Sequence, residues 1–355
     1  MMFAFCLLSS CSDEDHWLDG YGEEETPQEN NNKPAKYFTN PVRPVGADPW
    51  VIREDAKYYF SESDGGTHIY VHEFDKISEM SQSQGKLVHT TNLDPNLKLN
   101  STWGPHINKI NGQWYIYFCA TTNPKGGSAT QRMWVLQSGS PFGPYENKGE
   151  VLDSKNTEWA IDGSVLVREN GDLYFVWSGI SKEDTQPGGS WMQRSFIAKM
   201  LDPTRIDRNT ITEISQPTEV WEQRGAPIQE GQRPLYVDHN GKTIVMYSAS
   251  ASWTDDYCLG SLTNTDGDFL NPSSWVKSKE PLFQKTEAVW GPGGASYVKS
   301  VDGKEDWIIY HAAREKGSGW QRSIRAQKFT FDKENNPIFG DPIAPGVKMQ
   351  VPSGE

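Results

Sequence analysis

The sequence lacks several features that would define other classes of protein. Beyond its N-terminal segment it has no apolar run of about 18 residues, so it offers no candidate transmembrane helix. Long amphipathic helical patterns are scarce, which argues against an all-α fold. Cysteine is also rare, with four in the chain. Cys119 and Cys258 lie in apolar, strand-like segments, and we interpret them as buried free thiols rather than as a disulfide.

Positive charge is in deficit, and the deficit is concentrated in one segment. The formal net charge is −13, and eight acidic residues with no Lys or Arg lie between residues 12 and 32, which leaves −5 on the rest. A mildly acidic folded part offers no attraction for a phosphate backbone, which excludes nucleic acid as a partner. We therefore expect a neutral ligand.

The N-terminal segment has the features of an export signal. Residues 1–8 are apolar and lead into Leu8-Ser9-Ser10-Cys11, which resembles a bacterial lipobox and implies cleavage before Cys11 and acylation of its sulfur. Residues 12–36, rich in Glu, Asn, Asp and Lys, are predicted to form a disordered tether to a folded domain over 37–355. We expect an exported lipoprotein of the bacterial outer membrane, on its surface or its periplasmic face, with no other contact with the membrane.

What the chain has in abundance is aromatic residues and turn residues. It contains 14 Trp, 14 Tyr, 14 Phe, 32 Gly and 22 Pro, a composition typical of short strands joined by tight turns. One pattern recurs: a polar or Gly-rich start, an apolar strand, a turn signal, and a strand dense in aromatics. Its copies begin at residues 47, 103, 160, 230 and 291.

The turns and the second strands of these units predict the fold. Asn111-Gly112, Asn170-Gly171, Asn240-Gly241 and Asp302-Gly303 are predicted to form two-residue hairpin turns. The second strands are continuously apolar, which indicates burial on both faces, as in sheets that stack on neighbouring sheets. We predict an all-β fold, a five-bladed β-propeller; the alternative is a two-domain β-sandwich.

Three carboxyl groups open units of this repeat. The first strand of each propeller blade lines the central channel, so Asp48, Asp162 and Glu230 are expected at equivalent points of one channel mouth. Each alone would be read as a cap or turn residue. Together, mutual repulsion and partial burial should separate their pKa values, as glycoside hydrolysis requires of its proton donor and proton acceptor.

The segments ADPWVI, WGPHINKINGQWYIYF, AIDGSVL, EGQ and HAAREKGSGWQRSIRAQKF, in this order, resemble glycoside hydrolase family 43 over about residues 40–350. The resemblance implies a five-bladed propeller and hydrolysis with inversion. It also implies that Asp48 is the general base, that Glu230 is the general acid, and that Asp162 orients this acid and adjusts its pKa.

The resemblance also suggests residues that bind substrate. Arg322 is similar to a substrate-contacting arginine, or else is a surface arginine, and Trp103 falls at a platform position, or else packs in the core. Gln232 replaces a proline beside the proposed acid and is predicted to line the pocket. Further pocket walls are expected from Trp50, Trp253 and Trp290. His106 and His311 are interpreted as packing or hydrogen-bonding residues.

The family further implies a cofactor expectation and a substrate class. No cofactor is required; some members hold calcium through a histidine where this chain has Gly294, and glycine offers no side-chain ligand. The expected activity is exo-acting release of α-L-arabinofuranose from plant polysaccharide or glycan side chains, because a long loop over residues 186–223 would close the funnel into a pocket. Alternatives are β-xylosidase, endo-arabinanase and galactofuranosidase or galactanase. A carbohydrate-binding propeller without catalysis and a peptide-docking propeller are the alternatives from other classes.

Overall fold

The computed structural model describes residues 36–93, 97–123, 130–152, 159–181, 184 and 191–355. Residues 36–355 form one compact unit. The predicted signal segment, the lipidation site at Cys11 and all but the last residue of the predicted tether lie outside the described residues. Across the part that is described, no helix is long and apolar enough to cross a membrane.

Five antiparallel sheets confirm the predicted five-bladed, all-β architecture. The first two blades contain β2 Trp50–Glu54, β3 Lys57–Ser63, β4 His68–Phe74 and β5 Lys86–Thr90, then β6 Asn100–Ile110, β7 Gln113–Thr121, β8 Arg132–Ser138 and β9 Glu146–Glu150. The third contains β10 Ala160–Val167, β11 Leu173–Ile180, β12 Gln193–Asp202, β13 Arg205–Ile206 and β14 Thr212–Ser215. The fourth and fifth contain β15 Gln229–His239, β16 Lys242–Ala249, β17 Cys258–Asn264 and β18 Trp275–Lys277, then β19 Gly293–Lys299, β20 Asp306–Ala313, β21 Arg322–Phe331 and β22 Pro337–Ile338.

The ring of blades is closed by the ends of the described chain. β1 (Tyr37–Phe38) pairs antiparallel with β23 (Met349–Gln350). The first strand of the first blade, β2, contacts both β6 and β19, the first strands of the second and fifth blades. The alternative of two separate sandwiches is therefore wrong.

The second strands are buried on both faces, as their continuous apolar sequence predicts. Every residue of β11 is buried, and β7 is buried after its first residue. The described residues form five apolar clusters, and each fills the space between two neighbouring blades. Cys119 and Cys258 belong to two of these clusters as buried free thiols, which confirms their interpretation.

Only half of the predicted two-residue turns form. Asn111-Gly112 and Asn240-Gly241 have positive φ at both positions, 50° and 78°, then 52° and 73°. Asn170-Gly171 and Asp302-Gly303 instead lie in longer loops, because the strands pair at Val167 with Leu173 and at Lys299 with Asp306. In both loops the Asx side chain accepts a hydrogen bond from the backbone N–H two residues on, at 2.9 and 3.2 Å, and this favours a wider turn.

Candidate active site

A left-handed backbone residue recurs at the channel end of each blade's first strand. The φ angles are 47° at Asp48, 45° at Gly104, 56° at Asp162, 64° at Gly231 and 54° at Gly294. In blades two to five the ladder between first and second strands shifts register at this residue. Glycine adopts this conformation freely, and aspartate is among the few other residues that tolerate it. Of the five left-handed positions, two are therefore occupied by aspartate and three by glycine.

The sequence predicted that the three carboxyl groups share one repeat position, and this prediction is wrong for Glu230. Asp48 and Asp162 occupy the left-handed position, whereas Glu230 precedes its left-handed residue, Gly231, by one. They are nevertheless one group, because the Gly231 N–H donates to Asp162 Oδ2 at 3.1 Å. The sequence does not reveal this offset of one residue, because the short motif around Glu230 can be aligned with the motifs around Asp48 and Asp162 in two ways that fit equally well.

Asp48 is the ionised carboxyl group of the site. Its backbone N–H donates to His311 Nδ1 at 3.0 Å, and its Oδ1 lies 3.9 Å from Arg322 Nη1. Burial opposes its ionisation, but the positive charges of Arg322 and Arg233 favour the ionised form, and its pKa lies well below the usual range. Its side chain is 41% exposed, so water can reach it.

His311 supports Asp48 as a neutral ring. Burial and the charge of Arg322 lower the pKa of His311 to about 4. Since Nδ1 accepts from the Asp48 N–H, the proton belongs on Nε2. A Cβ built at Gly294 would lie 2.5 Å from His311 Cε1, so the glycine makes space for this ring. His311 is thus a hydrogen-bonding residue, as predicted.

Glu230 is the protonated carboxyl group of the site. Its side chain is buried, and the Tyr257 hydroxyl donates to Oε1 at 2.8 Å. Burial and the charge of Asp162 raise the pKa of Glu230 to about 8, against the opposing effects of Tyr257 and Arg322. Glu230 therefore carries a proton at neutral pH that it can donate.

The pKa of Asp162 lies between the pKa values of Asp48 and Glu230. Burial and the charge of Asp48 raise its pKa to about 6, while Arg233 and the Gly231 N–H favour its ionised form. A Cβ built at Gly104 would lie 3.2 Å from Asp162 Oδ1, so the glycine of the neighbouring blade leaves room for this carboxyl. The mouth thus holds three carboxyl groups with three different proton affinities.

Below the carboxyl groups the channel contains a buried cation that the sequence analysis missed. Arg233 is 2% exposed, and its Nη1 donates to the carbonyls of Gly294 at 2.9 Å and Pro49 at 3.3 Å. Its Nη2 lies 3.2 Å from His106 Nε2, and its guanidinium stacks 5.0 Å from the Trp50 ring centroid. Arg233, His106 and Trp50 each follow their blade's left-handed residue by two, a periodicity that could have identified the arginine.

Two of the predicted pocket residues have buried side chains. Trp50 is 5% exposed, donates from Nε1 to the Ile107 carbonyl and stacks on His106 at 4.3 Å, so it packs inside the channel. Gln232 is fully buried between the third and fourth blades, where its Nε2 donates to Ser195 Oγ at 2.9 Å. The prediction is wrong for Gln232, because the shift of register at Gly231 turns its side chain into the space between the blades. For Trp50, whose blade has no such shift, contact with substrate stays a prediction.

The remaining predicted residues lie on elements at the mouth. Arg322 is 8% exposed and faces Asp48. Trp103 is partly buried and holds the repeat position that Glu230 holds in its blade. Trp253 is 48% exposed on the loop after β16, and Trp290 is partly buried before Gly291. Their contact with substrate stays a prediction.

Tyr257, on the loop before β17, was not predicted from the sequence, because nothing in its local sequence distinguishes it from the other tyrosines.

The site does not suit a metal ion. Among the described residues, no three His, Cys, Asp or Glu side chains are grouped to hold one. Where the family resemblance implies a calcium-binding histidine, Gly294 presents only a carbonyl, and Arg233 already donates to it. A guanidinium at this carbonyl repels a second cation, so the residues around Gly294 do not fit a metal ion.

A protonated carboxylic acid and an ionised carboxylate at one mouth of a five-bladed propeller define a glycoside hydrolase-like site. Residues 38–337 match the model of glycosyl hydrolases family 43. The chain belongs to this family.

Relatives of known name support the assignment. An extracellular exo-α-(1→5)-L-arabinofuranosidase of Streptomyces avermitilis is 33% identical over 88% of this chain, and α-L-arabinofuranosidase B of Pyricularia oryzae is 30% identical over 88%. The chain spans 65% of the length of each. The crystal structure of α-L-arabinofuranosidase from Lactobacillus brevis superposes with a TM-score of 0.78 at 25% identity, covering 87% of this chain and 98% of that one. A xylan β-1,4-xylosidase from Bacillus halodurans, 13% identical, shares the fold, with a TM-score of 0.67 over 89% of this chain and 59% of that one.

Proposed function

We propose that this protein is an inverting, exo-acting α-L-arabinofuranosidase that removes terminal arabinofuranose from plant polysaccharide or glycan side chains. The observation that carries the proposal is the opposite protonation of two carboxyl groups at one channel mouth, Glu230 protonated and Asp48 ionised. Inversion needs this pair, one group on each side of the sugar. The names of the relatives supply the sugar and the exo mode.

In this mechanism each carboxyl group has one task. Glu230 gives its proton to the leaving glycosidic oxygen, while Asp48 takes a proton from the water that attacks the anomeric carbon from the opposite face. Asp162 holds the Glu230 segment through the Gly231 N–H, and its charge raises the pKa of Glu230. Arg322, whose Nη2 donates to the Ser252 carbonyl at 2.6 Å, presents its other nitrogens toward Asp48 and the sugar hydroxyls.

A substrate comparison tests the proposal. The protein should hydrolyse chromogenic α-L-arabinofuranosides at least about tenfold faster than β-xylosides or galactofuranosides, a difference of about 1.4 kcal/mol in activation free energy. Arabinan should release arabinose alone, and NMR should detect the β-anomer first. Faster xyloside hydrolysis would favour a β-xylosidase, and longer oligosaccharide products an endo-arabinanase. Sugar binding without any turnover would favour a non-catalytic propeller.

Replacing Tyr257 by Phe should move the alkaline limb of the pH profile upward. The Tyr257 hydroxyl stabilises the ionised form of Glu230, so its removal raises the pKa of that acid further. An acid that keeps its proton to higher pH sustains kcat/KM to higher pH, by up to about one pH unit. Tyr247→Phe is the matched control, because Tyr247 donates to Glu222 at 2.8 Å outside the channel. An unmoved limb would remove Tyr257 from this role.

We also propose that the chain is exported and carries a lipid on Cys11, which anchors it to the outer membrane. The support is the lipobox-like Leu8-Ser9-Ser10-Cys11 and the extracellular location in the name of the Streptomyces avermitilis relative. Expressed from its full sequence in a bacterium, the protein should sediment with membranes. Cys11→Ser should release it to the soluble fraction, and unchanged sedimentation of that variant would contradict the anchor.

A further inference from the structure

Two tryptophans are exposed next to each other on loops of the fourth and fifth blades. Trp253 lies between β16 and β17 and is 48% exposed, and Trp320 lies between β20 and β21 and is 67% exposed. Their ring centroids are 5.9 Å apart, with the planes at 76°. Single exposed apolar residues need no explanation, but two adjacent indoles form a patch at the end of the channel that holds the carboxyl groups.

Hydrogen bonds fix the two loops to each other. Trp320 Nε1 donates to Ser252 Oγ at 3.1 Å, which orients its indole, and the Gly317 N–H donates to Asp255 Oδ1 at 2.9 Å. Gly319 has φ 57°, and a Cβ built there would lie 3.4 Å from the Trp253 carbonyl. A rigid aromatic surface loses little conformational entropy on binding, which is what a recognition surface requires.

The pair is connected directly to the candidate active site. Arg322 Nη2 donates to the carbonyl of Ser252, the residue before Trp253, at 2.6 Å. The same guanidinium places Nη1 3.9 Å from Asp48 Oδ1. The backbone that presents the indoles thus also holds the arginine that faces the proposed base. A ligand on the indoles would lie beside the reacting sugar and outside the buried part of the site.

We propose that Trp253 and Trp320 form a binding site for a sugar residue of the leaving chain, next to the bond that is cleaved. This inference rests on the proposed function and specifies where the remainder of the substrate binds. The apolar face of a pentose ring stacks on an indole, while its hydroxyls reach polar groups at the edge of the patch. That edge is polar, with Ser252, Asp255 and Gln321 beside the rings, and it suits a sugar better than an apolar peptide.

Oligosaccharide binding to an inactive protein tests the site directly. In the Glu230→Gln background, a linear α-1,5-arabino-oligosaccharide should bind about tenfold more weakly after Trp320→Ala, and more weakly again with Trp253→Ala added. Tyr37→Ala is the control, since Tyr37 is 59% exposed but lies near Lys76 and Glu355, at a different blade edge. It should not change the affinity. Calorimetry measures all of these without turnover.

Kinetics separate the failure of this site from the failure of the proposed function. With Glu230 intact, Trp320→Ala should reduce kcat/KM on the oligosaccharide about tenfold more than on a chromogenic monosaccharide glycoside, mainly through KM. Equal losses on both substrates, or unchanged oligosaccharide affinity, would overturn the site. So would a change of molecular mass in light scattering, which would make the patch a contact between copies of the chain. Absence of hydrolysis by the unaltered protein would instead contradict the proposed function.

Discussion

Replacing Glu230 by Gln should reduce turnover of natural arabinofuranosides by about 10²- to 10⁴-fold. Yet it should largely spare aryl glycosides whose phenol leaves readily. Natural substrates leave as alkoxides and need a proton, whereas an acidic phenol does not. Glu230 can supply that proton because burial and Asp162 keep it protonated at neutral pH. Glutamine preserves the size of the side chain but has no acidic proton.

The pH profile gives the same variant a second readout. In the unaltered protein kcat/KM should fall as pH rises through about 8, where Glu230 loses its proton. Asp48 is already ionised below this range and adds no alkaline limb. On the aryl substrate, Glu230→Gln should lack this limb. Glu169→Gln, an exposed residue of the β10–β11 loop, is the control that should change neither readout. Equal loss on both substrate types would contradict the acid role.

The fold could be predicted from the sequence because a propeller repeats its signals. Continuous apolar second strands such as β7 and β11 occur only where both faces are buried, and the five copies fix the number of blades. The same repeat pointed to Asp48, Asp162 and Glu230, although Glu230 lies one residue before the position that the two aspartates share. Local signals were less reliable where a side chain competes with the backbone, as at Asn170 and Asp302.

The surroundings of the carboxyl groups could not be predicted, because they depend on contacts between blades. Tyr257 reaches Glu230 from the following loop, and Arg233 crosses the channel to carbonyls of the first and fifth blades. The contact of Tyr257 leaves no pattern in the local sequence, whereas Arg233 follows Gly231 by two residues, the spacing that Trp50 and His106 also have in their blades. The burial of Trp50 could not be predicted for a related reason: aromatic residues are common in every strand, and the local sequence does not show which of them pack inside the channel.

The left-handed positions link the fold to the proposed chemistry. In three blades this position is glycine, and Gly104 and Gly294 make room for Asp162 and His311. In the other two it is aspartate, which accepts a mildly strained backbone of order 1 kcal/mol. A turn that every blade needs to enter the channel therefore also presents a functional group in two of them. Substitutions that respect this backbone can remove the chemistry without disturbing the fold.

Asp48→Asn is expected to reduce hydrolysis of every substrate by about 10³-fold or more, including aryl glycosides, because no leaving group replaces the activation of water. Asparagine tolerates the φ of 47° at this position, so the variant should fold and still bind the oligosaccharide.

Asp55→Asn is the matched control for this substitution. Asp55 has the same left-handed backbone, with φ 48°, but lies in the exposed β2–β3 turn, where it pairs with Lys109. Its replacement should leave kcat/KM unchanged. Turnover that survives in Asp48→Asn would reject Asp48 as the base, and loss of sugar binding would reassign it to substrate recognition. Loss of turnover with binding retained is the outcome that a base requires, because the base acts on water and not on the bound sugar.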